Sequence, residues 1–151
     1  NLKASGCDFV VIIREGDQSL YNHLKPLNVG IIAVKNAEQG LSSVIAEAFQ
    51  AISSTAVDWV GVCLADMPYI QPKTLSELTT YATPSTIIRP SYRGKQGHPV
   101  LFGRDFFDEL VTLTGDDGAK SIIKRFPDAL HVIDVDDPMV LYDIDILENV
   151  R

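Results

Sequence analysis

Two acidic segments of this chain could supply carboxylates to a divalent cation. Asp66 closes the run Asp58-Trp59-Val60-Gly61-Val62-Cys63-Leu64-Ala65-Asp66-Met67-Pro68, an apolar stretch with β-branched Val60 and Val62 and the stops Pro68 and Pro72 beyond it. A run this short and this apolar reads as a central strand covered on both faces, with Cys63 in the core. Ligands of open α/β sheets bind outside the carboxyl ends of the strands, so an acid there suits Mg²⁺ and the phosphates of a nucleotide. Turning the chain, or capping a helix that opens at Pro72, is an equally ordinary use of Asp66. Further on, Asp143-Ile144-Asp145 sets two carboxylates on alternate residues of an extended segment, where they share a face and could meet one metal. Asp145 could equally cap a terminal helix, and Asp134, Asp136 and Asp137 just before it read as a solvated acidic edge.

Two glycine-punctuated segments add polar groups of the opposite kind. In Ser91-Tyr92-Arg93-Gly94-Lys95-Gln96-Gly97-His98-Pro99, the glycines allow backbone amides to approach a ligand, and Arg93, Lys95 and His98 could contact an anion. A hairpin turn with solvated basic residues explains the same pattern, and a histidine flanking a strand is commonly hydrogen-bonded packing. In Thr114-Gly115-Asp116-Asp117-Gly118-Ala119-Lys120, one Asp can cap the helix that follows. Helix-start amides with Lys120 could bind a phosphate there, opposed by the adjacent acids unless these face away.

The elements that must hold these segments alternate between strand and helix. Apolar runs at 9–13 and 29–34 read as parallel strands, joined by a polar connection that begins at 14–19. Leu41, Val44, Ile45, Ala48, Phe49 and Ile52 keep helical spacing within 40–54. The strand ending at Asp66 comes next, then a helix with Pro72 near its start and Leu75, Leu78 and Tyr81 on its buried side. A strand at 86–89 leads through the glycine segment into the run 98–102 as a hairpin, which makes the sheet mixed. Helices at 104–113 and 117–126 follow, then extended runs at 129–135 and 139–142. With no repeat and no linker, 1–151 reads as one α/β domain.

Composition narrows the class of function. The chain has 151 residues, 46% hydrophobic and 22% charged, enough to bury a core without disulfides or a structural metal. No apolar run approaches the ~20 residues of a membrane span, and no signal peptide is visible. A net charge of −7 argues against a nucleic-acid partner, since phosphate neutralisation along a duplex needs clustered Lys and Arg. Cys7 and Cys63 lie far apart without CxxC or Cys/His spacing, which argues against zinc and points to a reducing, cytoplasmic setting. The chain opens at Asn1 on what reads as the tail of a helix, carrying the expectation that a βαβ portion of roughly 30 residues precedes it.

The series LADMP, RPSYRGKQGHPVLF, TGDDGAKSII and DIDILENV, in this order and spacing, resembles the MobA-like nucleotidyltransferase family, most closely its molybdenum cofactor cytidylyltransferases. The resemblance runs from about Asn36 to the end. It implies a Rossmann-like, three-layer α/β fold of the nucleotide-diphospho-sugar transferase type with a mostly parallel mixed sheet. It also implies transfer of a nucleotidyl group from CTP or GTP to the terminal phosphate of molybdopterin, with Mg²⁺ required and pyrophosphate released. By the same resemblance Asp66 is a metal and nucleotide ligand and Asp143 the second metal ligand. Asn36, Gly40 and Ser43 fall on the nucleotide side, and Gly97, His98, Pro99, Asp117, Lys120 and Asp145 on the acceptor side. Relatives often carry a single acid where this chain has Asp116-Asp117. The family's amino-terminal strand and its LAAGxSxRMGxxK loop have no counterpart in 1–34, so the chain as it stands is expected to bind nucleotide poorly. The likeness of GHPVLFG and DGAK to the cytidylyl branch favours CTP. A guanylyltransferase, a sugar- or alditol-phosphate nucleotidyltransferase, and a non-catalytic carrier delivering molybdenum cofactor to a molybdenum hydroxylase remain alternatives.

Overall fold

The computed structural model describes residues 1–144. It is an α/β structure that divides into two compact units. The first comprises Asn1–Cys7, Val57–Asp105 and the chain from Pro127 onward; the second comprises Asp8–Ala56 and Phe106–Phe126.

The first unit holds strands β3 (Trp59–Val62), β4 (Ile87–Tyr92), β5 (Lys95–Gln96), β6 (Val100–Gly103) and β7 (Leu130–Asp134), with helix α3 (Pro72–Thr79). Their order is β3-β6-β4-β5, with β7 also paired to β4. β6 runs antiparallel to both β3 and β4, whereas β7 runs parallel to β4 from Ile87↔Leu130 to Ser91↔Asp134. The expected mixed sheet is therefore present, with the reversed β6 inserted between like-running strands. The hairpin expected between 86–89 and 98–102 is present as the antiparallel pair β4 and β6, with Ile87↔Phe102 and Ile88↔Leu101. Inside the glycine segment β4 also turns tightly into β5, where Tyr92 pairs with Lys95 across Arg93 and Gly94, both at positive φ (49° and 78°). Arg93 is one of only two non-glycine residues at positive φ among the described residues, a conformation that costs a side-chain-bearing residue free energy.

Packing in this unit centres on Met67, Ile70, Leu75, Leu78, Ile88, Leu101, Val135 and Val140. Full burial of such side chains contributes about 1.5–3 kcal/mol each. α3 joins this core through Leu75 and Leu78, as its spacing predicts, while Tyr81 beyond its end is exposed. Three further expectations need correction. β3 lies at the end of its sheet with all four residues half-buried, because β6 takes one side of it. Cys63, past the end of β3, is exposed rather than core. Residues 138–141 form a 3₁₀ turn rather than an extended run, because Pro138 favours a helical start and Asp137 Oδ1 accepts from the Met139 amide at 3.0 Å.

The second unit holds parallel strands β1 (Val10–Arg14) and β2 (Gly30–Val34), with helices α1 (Gln18–Leu24), α2 (Leu41–Ile52), α4 (Phe107–Val111) and α5 (Lys120–Arg125). α1 occupies what the sequence presents as a plain connection: Asp17 caps it by accepting from the Leu20 amide at 3.0 Å, yet it buries no residue and so has no amphipathic signature. Phe49 of α2 meets Phe107 of α4 edge-on at 5.1 Å, and Phe106 meets Phe126 at 5.2 Å. The chain start, which belongs to the first unit, is a 3₁₀ turn, Lys3–Ser5.

Candidate functional site

The candidates sort into two groups, one in each unit. In the first unit, Asp66 lies in the turn after β3, four residues past the strand, with its backbone carbonyl accepting from the Ile144 amide at 2.8 Å. That bond brings the Asp66 turn and the segment carrying Asp143 side by side. Both acids are exposed. Capping of α3 is not the task of Asp66: the start of that helix is reached by Asp137, whose Oδ2 accepts from the Gln71 amide at 2.9 Å and from Thr74 Oγ1 at 2.8 Å. Asp137, expected on a solvated edge, is 1% exposed. Asp145 lies outside the described residues.

Beside Asp143 opens a cleft of ≈ 180 Å³, with Leu64, Met67, Val140 and Leu141 as apolar walls and Arg89, Gln96, His98 and Asp143 as polar groups. Gly97 forms part of its lining and can only be glycine. A Cβ there would run into the carbonyl of Val140. The surrounding backbone is pinned from both sides, since the Gly97 amide donates to Pro90 O at 2.8 Å and the His98 amide to Val140 O at 2.9 Å. Pro99 is fully buried after a cis peptide bond from His98. The GHP segment is thus held rigidly between β4 and the 3₁₀ turn Pro138–Leu141.

Arg89 is the residue sequence reasoning missed. It stands on β4 between buried Ile88 and Pro90, and its Nε donates to Gly97 O at 3.0 Å while Nη1 donates to Gln96 Oε1 at 3.2 Å. Burial lowers its pKa from the ordinary guanidinium value. A charged residue interrupting the apolar run Ile87-Ile88-Arg89-Pro90 was the available signal. Arg93, by contrast, folds over the Tyr92 ring at 5.2 Å, and Lys95 is exposed.

In the second unit the structure gathers Asn36, Gly40, Ser43 and the 115–118 turn around the start of α2. Asn36 is exposed, and its amide and that of Lys35 donate to the two carboxylate oxygens of Glu47 at 2.7 and 2.8 Å. Those bonds, the Lys35 one foremost, hold the Glu47 carboxyl below its usual range. Gly40 has φ 105°, and a Cβ on it would strike Asp116 and the Gly115 carbonyl. Ser42, at 1% exposure, donates from its amide to Gly115 O at 3.0 Å and from its hydroxyl to Gly118 O at 3.1 Å. The amides of Ser43 and Val44 donate to Gly40 O. Asp117 does not cap α5, whose first flanking residue is Ala119 with no side-chain bond; Asp117 and Lys120 are both exposed.

The first group offers a divalent cation two carboxylates. Among the described residues no cluster of three or more His, Cys, Asp or Glu could hold a metal. Mg²⁺ in nucleotide enzymes is commonly held by one or two carboxylates, with waters and substrate phosphates completing its shell. Asp66 and Asp143, whose side chains make no hydrogen bond or ion pair with the described residues, supply that number.

Comparison with known proteins bears on the family and the fold. Residues 1–131 match the family model described as MobA-like NTP transferase domain. No curated protein sequence matches the chain. Among solved structures, Rv0371c of Mycobacterium tuberculosis H37Rv in complex with manganese aligns with a TM-score of 0.78 at 19% identity, over 97% of this chain and 77% of that one. A nucleotidyl transferase from Methanothermobacter (Mth528) gives 0.77 at 18% identity, over 95% and 70%. The 4-diphosphocytidyl-2C-methyl-D-erythritol synthase of Anaerococcus prevotii gives 0.69 at 11% identity, over 93% and 74%. At these identities the likeness is one of fold, and the fold is that of nucleotidyltransferases. No helix among the described residues is long and apolar enough to cross a membrane.

Proposed function

The chain belongs to the MobA-like NTP transferase family, and from that premise we propose that it transfers a cytidylyl group from CTP to the terminal phosphate of molybdenum-loaded molybdopterin. In the reaction an oxygen of the acceptor phosphate attacks the α-phosphorus of CTP, a new P–O–P link forms, the α–β bridging bond breaks, and pyrophosphate leaves. The acceptor phosphate is already an anion at neutral pH, so no general base is required. Catalysis is then a matter of positioning and charge neutralisation.

The observation that carries the reading is the cleft that sets Asp143 against the rigid Gly97-His98-Pro99 segment, with the Asp66 turn bonded to residue 144. Asp66 and Asp143 are proposed to hold Mg²⁺, which when bound offsets charge on the phosphate oxygens and fixes their geometry. Gly97 and His98 are proposed to line the acceptor side, with the fully buried Pro99 behind them fixing the segment rather than touching a ligand. A cleft of this size takes part of a substrate, such as a phosphate and its neighbouring atoms, rather than a whole nucleotide. Asn36, Gly40 and Ser43 are proposed for the nucleotide, and Asp117 and Lys120 for the acceptor, on the family resemblance; the amides of Ser42, Ser43 and Val44 at the start of α2 already donate to carbonyls.

The test is pyrophosphate release by the full-length gene product with Mg²⁺ and molybdenum-loaded molybdopterin, run in parallel with CTP and GTP. Release with CTP alone is expected. Release with GTP alone would reassign it as a guanylyltransferase, and release only with sugar or alditol phosphates would reassign the acceptor. Cofactor binding without release under any pairing would favour a carrier that serves a molybdenum hydroxylase.

A further inference from the structure

We infer that Arg89 binds the anionic phosphate of the acceptor within the Gly97 cleft, as the guanidinium counterpart of the carboxylate at Asp143. The inference rests on the transferase reading for the identity of the ligand, and on the cleft itself for the site.

A half-buried cation in the middle of a strand is costly unless an anion meets it. Arg89 meets only neutral acceptors, Gly97 O and Gln96 Oε1, and it forms no ion pair among the described residues, where the sole pair is Arg125 with Glu109 at 2.8 Å. Those two bonds fix the guanidinium in place and engage two of its N–H groups, while the others of its five remain available. Asp143 lines the same cleft and is not paired with Arg89 either. A carboxylate and a guanidinium sharing a small cleft without neutralising one another suit a ligand that brings both complementary charges, which a metal-bound phosphate does. The planar fork of Arg matches two phosphate oxygens at once. The desolvation that lowers the guanidinium pKa in the free protein is offset by the charge of an arriving anion.

The experiment compares wild type, Arg89→Met and Arg89→Lys in pyrophosphate release, with the KM values for acceptor and for nucleoside triphosphate measured separately. Arg89→Met is expected to raise the acceptor KM about ten- to a hundredfold, the loss of one charge-assisted contact, with the nucleotide KM within about twofold. Arg89→Lys, which keeps the charge and loses the fork, is expected to fall between, and serves as the test if the Met variant does not fold. An unchanged acceptor KM, or equal increases in both constants, would overturn the assignment. If wild type releases no pyrophosphate with any acceptor, the transferase reading fails, and calorimetric titration with inorganic phosphate alone decides Arg89. Phosphate binding that disappears in Arg89→Met supports the site, whereas binding that is absent, or equal in the two proteins, overturns it.

Discussion

Asp137 and Asp143 flank the same 3₁₀ turn, and the protein has put the two carboxylates to opposite uses. Asp137 is 1% exposed and accepts from the Gln71 amide, the Thr74 hydroxyl and the Met139 amide, tying the start of α3 to the turn. Asp143 is exposed at the rim of a cleft and makes no such bonds. A carboxylate whose lone pairs are taken by backbone and hydroxyl donors is architecture. One that the fold carries to a cleft and leaves open is available to a ligand. The two are also linked, because the turn that Asp137 anchors supplies Val140, whose carbonyl holds the His98 amide.

Breaking the open side of this comparison has the largest expected effect. Asp66→Asn should lower turnover at least about a hundredfold, the scale of losing a metal-site contact. Its melting temperature should match wild type, because the side chain has no partner among the described residues; turnover near wild type would remove Asp66 from the site. Breaking the closed side should do the reverse. Asp137→Ala strands two amides and a hydroxyl in the core and is expected to cost about 3 kcal/mol in urea unfolding, with Asp137→Asn costing less. Gly97→Ala sharpens the boundary between the two. Its Cβ meets the Val140 carbonyl, so about 1–3 kcal/mol of overpacking should come with a raised acceptor KM. If stability drops and the acceptor KM does not move, Gly97 belongs to the architecture alone.

The smallest effect is expected at Glu47. Its carboxyl is held below the usual range by the Lys35 and Asn36 amides, so its contribution to ordering that turn is fully present above the unfolded carboxyl pKa and is lost as pH falls through the lowered folded value. Amide protection factors at Lys35 and Asn36, taken against the intrinsic exchange rate at each pH, should fall in that acid window and should be low at neutral pH in Glu47→Gln. Exchange that ignores both changes would show that the turn is held by other contacts.

How much of this was legible in the sequence depends on which interactions are local. α2 could be read because its apolar spacing is a property of one segment, and the hairpin because Gly94 sits between β4 and β5 where its φ of 78° calls for glycine. α1 was not legible, since a short helix that buries nothing leaves no periodic trace. Burial of Asp137 was illegible for another reason: its partners at Gln71 and Thr74 are more than sixty residues away in sequence. Asp66 is singled out by its place after an apolar strand, although β3 sits at the end of its sheet rather than at its centre. Arg89 could be seen as an odd residue in an apolar run, but its bond to Gly97 O depends on the return of the chain through β5.

Pyrophosphate release by Asp143→Asn, compared with wild type at equal concentrations of folded protein with Mg²⁺, CTP and molybdopterin, tests the central claim most directly. The account predicts release by wild type and a loss of at least about a hundredfold in the variant at an unchanged melting temperature. Equal release by the two proteins would contradict it, and would mean that the open carboxylate beside the Gly97 cleft takes no part in the reaction.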